Sequence, residues 1–378
     1  MSGRLLGVSA ALVDGEVLVG DVRVGDDGRV AEVAVGYHGR RSDIVVPGLV
    51  DLQVNGFAGV DLRRADPDGY RHAAAALAAH GATAVQPTFY GLDLDGYLSS
   101  LSVLEEVAAE QRNALSPSGT RMLRAHLEGP FLNPLFKGAH DETTFLAPSI
   151  EVADRLVDTG LVGFMTVAPE LPGAIEVVEH LAGRGVVVSI GHSDADVDQT
   201  VAAIAAGARH LTHCWNAHRR LSSRDPGPAA VALVRPSLVL GLIVDGTHVA
   251  DETVRLTLKS AEGRVAATTD AIAPAGLGSL DDWEEGSGTI VSIRERRATL
   301  ADGTLAGSLA TPIEVLRNLV HLGLDVPDAV DACGGVQRRL LGLPEVALRP
   351  GDVADLVVLD EGLDVRATFV DGHVVHMA

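Results

Sequence analysis

VVVSIGHSDADVDQTVAAIAAGARHLTH, residues 186–213, contains one complete structural unit. The run VVVSI predicts a buried strand, the alanine-rich segment 194–207 predicts a helix, and ARHLT predicts a second strand. Because two parallel strands need a crossover of about a dozen residues, this stretch is typical of a βαβ unit. A histidine closely follows each strand, at His192 and at His213.

The same alternation continues along most of the chain, where apolar segments are separated by amphipathic, alanine-rich segments. The predicted strands are GLVDLQV (48–54), ATAVQPT (82–88), MLRAHL (122–127), LVGFMTV (161–167), VVVSI (186–190), ARHLT (208–212), SLVLGLIV (237–244) and RVAATT (264–269). Eight buried strands alternating with helices favour an α/β protein with a (β/α)8 barrel of the TIM type over a doubly wound sheet.

Both ends of the chain have a different pattern, with short alternating strands and turn residues. Residues 5–46 contain several such strands, and the tail contains ADLVVLD (354–360) and VRATFVDGHVV (365–375). We predict that residues 1–46 and 346–378 together form one small β-sandwich domain. Residues 47–345 then form the metal-dependent barrel.

Composition and charge exclude several classes of function. The 378 residues have a formal net charge of −21, which disfavours binding to nucleic acid or to an anionic membrane surface. The longest apolar run, SLVLGLIV, is far shorter than the roughly 20 residues that span a bilayer. Two cysteines without a C-x-x-C pair and the lack of an apparent export signal predict a cytoplasmic protein.

Potential metal ligands follow several of the predicted barrel strands. They are Glu128, His192, His213, His248 and Asp270. Each alone would fit a solvated loop, but the catalytic residues of such barrels lie at the carboxyl ends of the strands. Five polar residues at the same ends therefore predict a site.

The chemistry of these residues indicates a catalytic metal site. One glutamate and two histidines, Glu128, His192 and His213, suit a divalent ion such as zinc or iron and leave a coordination position open. Asp270 is placed to accept a proton from water and return it to a leaving amine.

Several motifs resemble the N-acetylglucosamine-6-phosphate deacetylase family of the amidohydrolase superfamily. In order, they are VPGLVDLQVNG, HLEGPFLNPLFKGAH, IGHSDAD, LTHCWNA, VDGTHV, TTDAIAPAG and GTLAGS. The resemblance covers about residues 46–311. It implies that Glu128, His192 and His213 bind the metal, that Asp270 is the general base and acid, and that His140 polarises the acetamide carbonyl and contacts the sugar.

The resemblance also implies where a phosphorylated amino sugar binds. The implied substrate-binding residues are His140, Asn216, Ala217, Arg224, His248 and Leu305. In this family the arginine corresponding to Arg224 reaches the site of the neighbouring subunit, which implies a homodimer.

Gln53 and Asn55 decide the expected number of metal ions. Many amidohydrolases have H-x-H at the end of the first strand, which holds a second ion, and here both positions carry amides. Amides are poorer ligands than imidazole for such metals, so we predict one divalent ion per subunit. His218 and Trp215 replace the usual Met and Tyr or Phe, and we expect both beside the sugar-phosphate pocket.

The predicted reaction is hydrolysis of N-acetylglucosamine 6-phosphate to glucosamine 6-phosphate and acetate in amino-sugar catabolism. Three alternatives stay open: a deacetylase for another substrate such as N-acetylgalactosamine 6-phosphate, another amidohydrolase activity, and a non-catalytic sugar-phosphate-binding protein. The lack of H-x-H argues against cyclic amidases, and the presence of Asp270 with all three metal ligands argues against a non-catalytic protein.

Overall fold

The computed structural model describes residues 3–36, 42–278, 280–284 and 290–378. Within these residues, eight parallel strands pair with one another in chain order, as predicted for a (β/α)8 barrel. The barrel strands are β1 (Leu49–Val54), β2 (Ala82–Tyr90), β3 (Ala125–Glu128), β4 (Val162–Val167), β5 (Val187–Ile190), β6 (His210–Leu211), β7 (Val239–Ile243) and β8 (Val265–Thr268). A short strand, Arg121–Met122, also pairs with β2.

A helix follows each barrel strand and packs on the outside of the barrel. These helices are α1 (Pro67–Ala79), α2 (Leu94–Asn113), α3 (Ile150–Val157), α4 (Ala174–Gly183), α5 (Val197–Ala205), α6 (Gly227–Val234), α7 (Asp251–Ser260) and α8 (Pro312–His321). Capping side chains fix several starts: Asp196, for example, accepts the backbone N–H of Gln199 in a reciprocal capping box. The chain continues through α9 (Val326–Val330), a π-helical turn (Asp331–Gly335) and α10 (Val336–Leu341).

A buried carboxylate joins β1 to β8, where the barrel closes. Backbone pairing here includes an isolated bridge between Val54 and Ala271. Asp51 of β1 accepts hydrogen bonds from the backbone N–H and the hydroxyl of Thr269, at 3.0 and 2.6 Å, and another from the hydroxyl of Thr268. Asp51 therefore connects β1 to the end of β8, where few backbone hydrogen bonds join the two strands.

The barrel interior contains a chain of hydrogen-bonded polar side chains. The chain passes, in order, through His126, Thr166, Thr212, Ser189 and His210. His126 Nδ1 lies 3.2 Å from the carbonyl oxygen of Leu52. Because a carbonyl only accepts, this nitrogen carries the hydrogen and Nε2 accepts from Thr166. Because each hydroxyl donates only one hydrogen, this protonation state of His126 also fixes the donor and the acceptor at each later step of the series.

The two ends of the chain form a β-sandwich, as predicted. One sheet contains Arg4–Leu5, Asp21–Val24 and Val30–Val35. The other contains, in spatial order, His373–Met377, Val365–Val370, Leu356–Leu359, Ile44–Pro47, Ala10–Val13 and Glu16–Val19. A separate apolar cluster, which includes Val22, Val45 and Leu356, fills the space between the sheets. The boundaries after residues 46 and 345 stay predictions.

A three-stranded antiparallel sheet between β8 and α8 was not predicted. Its strands are Asp282–Glu284, Ile290–Arg294 and Arg297–Thr299. Val291 and Ile293 pack against Ile272, just beyond β8, and the chain then continues into residues that line the barrel mouth. Smaller elements are the hairpin of Gly56–Phe57 and Val60–Asp61 and the 3-10 turns Pro134–Phe136 and Glu142–Thr144. Within the described residues, no helix is long and apolar enough to cross a membrane.

Candidate active site

The predicted ligands meet at the carboxyl end of the barrel. Glu128 is the last residue of β3, and His192 and His213 each stand two residues after the end of a strand, β5 and β6 respectively. All three are buried. Asp270 follows β8 in the same way and lines the same cavity.

His192 and His213 present the same ring nitrogen to Glu128. Nδ1 of His192 lies 2.7 Å from the carbonyl oxygen of Phe136, and Nδ1 of His213 lies 3.1 Å from that of Asn216. Both Nδ1 atoms therefore carry hydrogen, and in neutral rings both Nε2 atoms present lone pairs. These Nε2 atoms lie 3.1 Å from each other and 3.2 and 2.8 Å from Glu128 Oε1. Three converging acceptors fit a cation between them.

The spacing of these three atoms suits a single tetrahedral ion. Ligand atoms at about 2.0–2.1 Å from a tetrahedral ion are about 3.3 Å apart. His140 is a further candidate, because Glu128, His140 and His192 offer ligand atoms that all lie within 4.8 Å of one another. However, His140 Nε2 lies 3.6 Å from the other carboxylate oxygen, Oε2. Glu128, His192 and His213 therefore surround one point, and His140 lies beside it.

Charge within this cluster is strongly coupled. Burial alone would raise the pKa of Glu128, but hydrogen bonds with His140, His192 and His213 hold that pKa well below its usual value. Burial lowers the pKa of His192 to about 4. For His213, burial lowers the pKa, but the hydrogen bond and the charge of Glu128, together with the charge of Asp270, outweigh burial and raise the pKa. The carboxylate is thus ionised and faces at least one imidazole lone pair, which is the protonation pattern that metal binding needs.

Asp270 has the properties of a proton-transfer group. Burial, followed by the nearby charge of Glu128, raises the pKa of Asp270 to about 7. Asn55 Nδ2 donates a hydrogen bond to Asp270 Oδ1 at 2.7 Å, which fixes one oxygen of the carboxylate. A group that titrates near neutral pH can both accept and donate a proton there.

The backbone is strained at three of these strand ends. φ is +49° at His192, +29° at His213 and +52° at Asp270, in a region that non-glycine residues rarely adopt. Such strain costs on the order of 1–3 kcal/mol per residue and persists only where surrounding contacts impose it. Each carbonyl accepts a backbone N–H from a loop, the donors being Asn133, Asn216 and Ser308 in turn.

Gln53 and Asn55 approach the cluster as hydrogen-bond donors. Gln53 Nε2 donates to Glu128 Oε1 at 3.0 Å, while Asn55 Nδ2 donates to Asp270. Each amide therefore directs an N–H toward a carboxylate. An N–H group has no lone pair for a metal ion, so this arrangement does not form a second ligand set.

A cavity of about 260 Å³ opens over the cluster. Its lining includes Asn55, Tyr90, Glu128, His140, His192, His213, Asn216, Ala217, His248, Asp270 and Leu305. Of the predicted site residues, Gln53 does not line the cavity and reaches the cluster only through its hydrogen bond to Glu128. Arg224 is exposed on the loop before α6, does not line the cavity and makes no ion pair with another described residue.

Neither Trp215 nor His218 lines the cavity. Trp215 Nε1 donates to the hydroxyl of Thr257 in α7, and His218 is buried with its Nε2 donating to the carbonyl of Thr212. His218 nevertheless lies close to His213, which lines the cavity, with 6.0 Å between the ring centroids, so the expectation that both residues adjoin the sugar-phosphate pocket stays a prediction. φ is positive at His213 (+29°) and at Trp215 (+83°), so the backbone turns sharply here and the side chains of these two residues point in different directions.

Sequence reasoning missed Tyr90, whose ring lies beside His140. Tyr90 ends β2 and lines the cavity, with its ring centroid 4.9 Å from that of His140. The guanidinium of Arg63 also lies over the Tyr90 ring, 3.9 Å from its centroid. Tyr90 therefore fixes one wall of the cavity.

Glu170 and Asp245 were also missed. Glu170 accepts hydrogen bonds from Asn133 Nδ2, Ser193 Oγ and the backbone N–H of Asp194, and so connects the loops after β3, β4 and β5. Asp245 follows β7 and contacts His248. Both are carboxylates just beyond strand ends, so the rule that identified Asp270 could have identified them.

Residues 44–375 match the sequence profile of the amidohydrolase family. This match spans most of the chain, and the barrel with its terminal β-sandwich agrees with it. The chain therefore belongs to the amidohydrolase family.

Relatives within this family are deacetylases named for the 6-phosphates of N-acetylated amino sugars, most of them for N-acetylglucosamine 6-phosphate. The N-acetylglucosamine-6-phosphate deacetylase of Caenorhabditis elegans is 32% identical and aligns with 89% of this chain and 83% of its own length. An N-acetylgalactosamine-6-phosphate deacetylase of Escherichia coli O157:H7 is also 32% identical, over 98% of this chain and 97% of its own.

A solved structure agrees with these sequence relatives. A mutant of the Mycobacterium smegmatis N-acetyl-D-glucosamine-6-phosphate deacetylase, in complex with N-acetyl-D-glucosamine-6-phosphate, superposes with a TM-score of 0.90 at 33% identity. The match covers 99% of this chain and 100% of that one. The likeness therefore includes both the barrel and the β-sandwich.

Proposed function

We propose that this chain hydrolyses N-acetylglucosamine 6-phosphate to glucosamine 6-phosphate and acetate. The observation that carries the proposal is Asp270, with a pKa near 7, beside the converging ligand atoms of Glu128, His192 and His213. The named activities of the relatives support an N-acetylated amino-sugar phosphate as substrate.

The reaction follows from the placement of these groups. A divalent ion held by Glu128, His192 and His213 would supply a Lewis acid for the acetamide carbonyl and for the attacking water. Asp270 accepts the proton of the water as the new C–O bond forms. The same carboxyl then delivers that proton to the amine nitrogen as the C–N bond breaks, which releases acetate and the amino sugar. His140 Nε2 is the group that would donate to the carbonyl oxygen.

We propose one ion per subunit, either zinc or iron. The amides of Gln53 and Asn55 donate to carboxylates, and this arrangement supports a single set of ligands. Elemental analysis of the purified active protein should give one equivalent per chain, with zinc or iron as the main metal. Two equivalents in fully active protein would contradict the proposal.

The phosphate is proposed to bind at the other end of the cavity. Asn216, Ala217, His248 and Leu305 line the cavity beyond the cluster, which supports contacts there with the sugar phosphate. Acetate release should need the 6-phosphate, so unphosphorylated N-acetylglucosamine should react far more slowly. Equal rates with and without the phosphate would contradict this assignment.

N-acetylgalactosamine 6-phosphate is the second candidate substrate, because the Escherichia coli relative named for it aligns over nearly its whole length. Measuring kcat/KM for both epimers tests the choice. We expect the higher value for the glucosamine derivative, and the opposite order would make the galactosamine derivative the substrate.

We also propose a homodimer in which Arg224 completes the site of the partner subunit. Its exposure and its absence from the cavity of its own chain support this arrangement. Mixing Arg224→Ala and Asp270→Asn chains tests it, because one of the two sites in a mixed dimer would then have both groups. Refolding or co-expressing equal amounts should restore roughly a quarter of wild-type activity. A mixture no more active than its components would exclude the shared site.

A cytoplasmic location is part of the same proposal. Cys214 and Cys333 are both free and buried, as is usual in a reducing compartment.

A further inference from the structure

Asp245 and His248 form a pair on the loop between β7 and α7. Asp245 Oδ2 lies 2.7 Å from His248 Nδ1, and both side chains are 6% exposed. The other oxygen, Oδ1, accepts the backbone N–H groups of Thr247 and His248, at 2.8 and 2.9 Å. Among the described residues, this carboxylate therefore makes its hydrogen bonds only within the segment 245–248.

These contacts fix which nitrogen of His248 can reach a ligand. An ionised carboxylate only accepts, so the contact at Nδ1 requires a hydrogen on that nitrogen. Nε2 remains as the polar atom that the ring can offer to the cavity, which His248 lines. Burial alone would raise the pKa of Asp245, but the hydrogen bond from His248 lowers it to about 2, so the carboxylate is ionised in the working range.

A carboxylate at Nδ1 also determines the kind of ligand that His248 suits. With Nδ1 held by Asp245, a hydrogen carried by Nε2 would be directed into the cavity, and an N–H of a histidine that also has a hydrogen at Nδ1 donates a charge-assisted hydrogen bond to an anion. The cavity otherwise contains the carboxylates Glu128 and Asp270, which repel a phosphorylated ligand. A hydrogen-bond donor directed at the ligand from this place offsets part of that repulsion.

We propose that Asp245 is a positioning residue for substrate binding, which acts by holding His248 with Nδ1 protonated and Nε2 directed at the anionic sugar phosphate. The inference rests on the proposed function for the identity of the ligand. Asp245 does not line the cavity, so its loss should weaken binding through His248 and leave the chemical step nearly unchanged.

The variant Asp245→Asn separates this role from that of a loop-forming residue. Its single carbonyl oxygen still accepts the two backbone N–H groups, so the turn is preserved. Its amide N–H₂ then faces Nδ1 of His248, which loses both its acceptor and its negative partner. The matched control is Asp251→Asn, an exposed aspartate in the first turn of α7.

The test measures kcat and KM for N-acetylglucosamine 6-phosphate in Asp245→Asn, in His248→Gln and in the double variant. Loss of a charge-assisted hydrogen bond should raise KM about tenfold in each single variant, with kcat changed less than about threefold. If Asp245 acts through His248, the double variant should have the same KM as His248→Gln. The Asp251→Asn control should keep the wild-type KM.

The hydrogen on Nδ1 of His248 can also be detected without substrate. Nitrogen-15 NMR should show a protonated Nδ1 on His248 in the wild type and its loss in Asp245→Asn. Additive effects on KM, or an unchanged Nδ1 signal in the variant, would overturn the inference. A wild-type protein that shows the Nδ1 signal but does not hydrolyse the substrate would contradict the proposed function and leave the pairing intact.

Discussion

At the scale of single residues, Asp270 is the group on which the proposed chemistry depends most. Asp270→Asn keeps the shape of the side chain and removes its ability to accept a proton. We expect kcat to fall roughly 10²–10⁴-fold, as is usual for a general acid-base group. Metal content should stay at the wild-type level, because Glu128, His192 and His213 are unchanged. Near-normal turnover in this variant would refute the role of Asp270.

The pH dependence of kcat/KM tests the same residue in the wild type. The free carboxylate accepts the proton, so activity should fall as the pH drops through the pKa of Asp270, about 7, and should lose about tenfold per further unit. Steady-state rates between pH 5 and 9, with stable protein at each pH, would locate this limb. If activity falls only below pH 5, the charge of a bound cation lowers the pKa of Asp270 by more than burial and the charge of Glu128 raise it.

At the scale of elements, the end of β5 is tightly packed. A Cβ added at Gly191, directly before His192, would lie 2.5 Å from Thr166 Cγ2 and 2.9 Å from Thr212 Cβ. Because the neighbours are β-branched side chains inside the barrel, Gly191→Ala should lower the free energy of unfolding by about 1–3 kcal/mol. It should also weaken metal binding, since His192 would move with the strand end.

Gly183→Ala is the matched control for this substitution. Gly183 ends α4, and nothing lies within 4 Å of a Cβ added there. Urea unfolding should therefore give equal or slightly higher stability for the control. Wild-type stability and metal affinity in Gly191→Ala would show that the strand end adjusts without cost.

Most of the elements could be predicted from the sequence, because buried parallel strands and amphipathic helices differ in period. The candidate ligands could be predicted for a related reason, since strand ends in a barrel converge whatever the loops between them do. Helix α6 was missed because GPAAVALV is short and almost uniformly apolar. The positions of Trp215 and His218 depend on positive φ angles between them and His213, which composition does not reveal.

At the scale of the whole molecule, buried neutral histidines should make the fold sensitive to acid. Burial lowers the pKa of His126 to about 4, below the ordinary value of 6.5. Between these values the unfolded chain binds more protons than the folded protein, so stability falls as the pH drops from 6.5 toward 4. Proton binding to His126 in the unfolded chain should lower the free energy of unfolding by about 2 kcal/mol at pH 5.

His126→Gln isolates that contribution. The glutamine amide can donate to the Leu52 carbonyl and accept from Thr166, as the ring does. Urea unfolding at pH 7.5 and pH 5 should show a smaller loss of stability for the variant than for the wild type. An equal loss in both proteins would mean that His126 does not titrate in this range.

The β-sandwich can be completed only late in synthesis, because one of its sheets combines strands from both ends of the barrel sequence. Strand Ile44–Pro47 pairs on one side with Ala10–Val13 and on the other with Leu356–Leu359. The whole barrel lies between Ile44–Pro47 and Leu356–Leu359 in the sequence. At ribosomal speeds of about 5–20 residues per second, the second edge of Ile44–Pro47 waits on the order of tens of seconds for its partner. An unpaired edge is a template for association with other chains. The strands from Leu356 onward thus complete a sheet whose earlier strands begin at Ala10, and a nascent chain stalled before Leu356 keeps this edge open to aggregation.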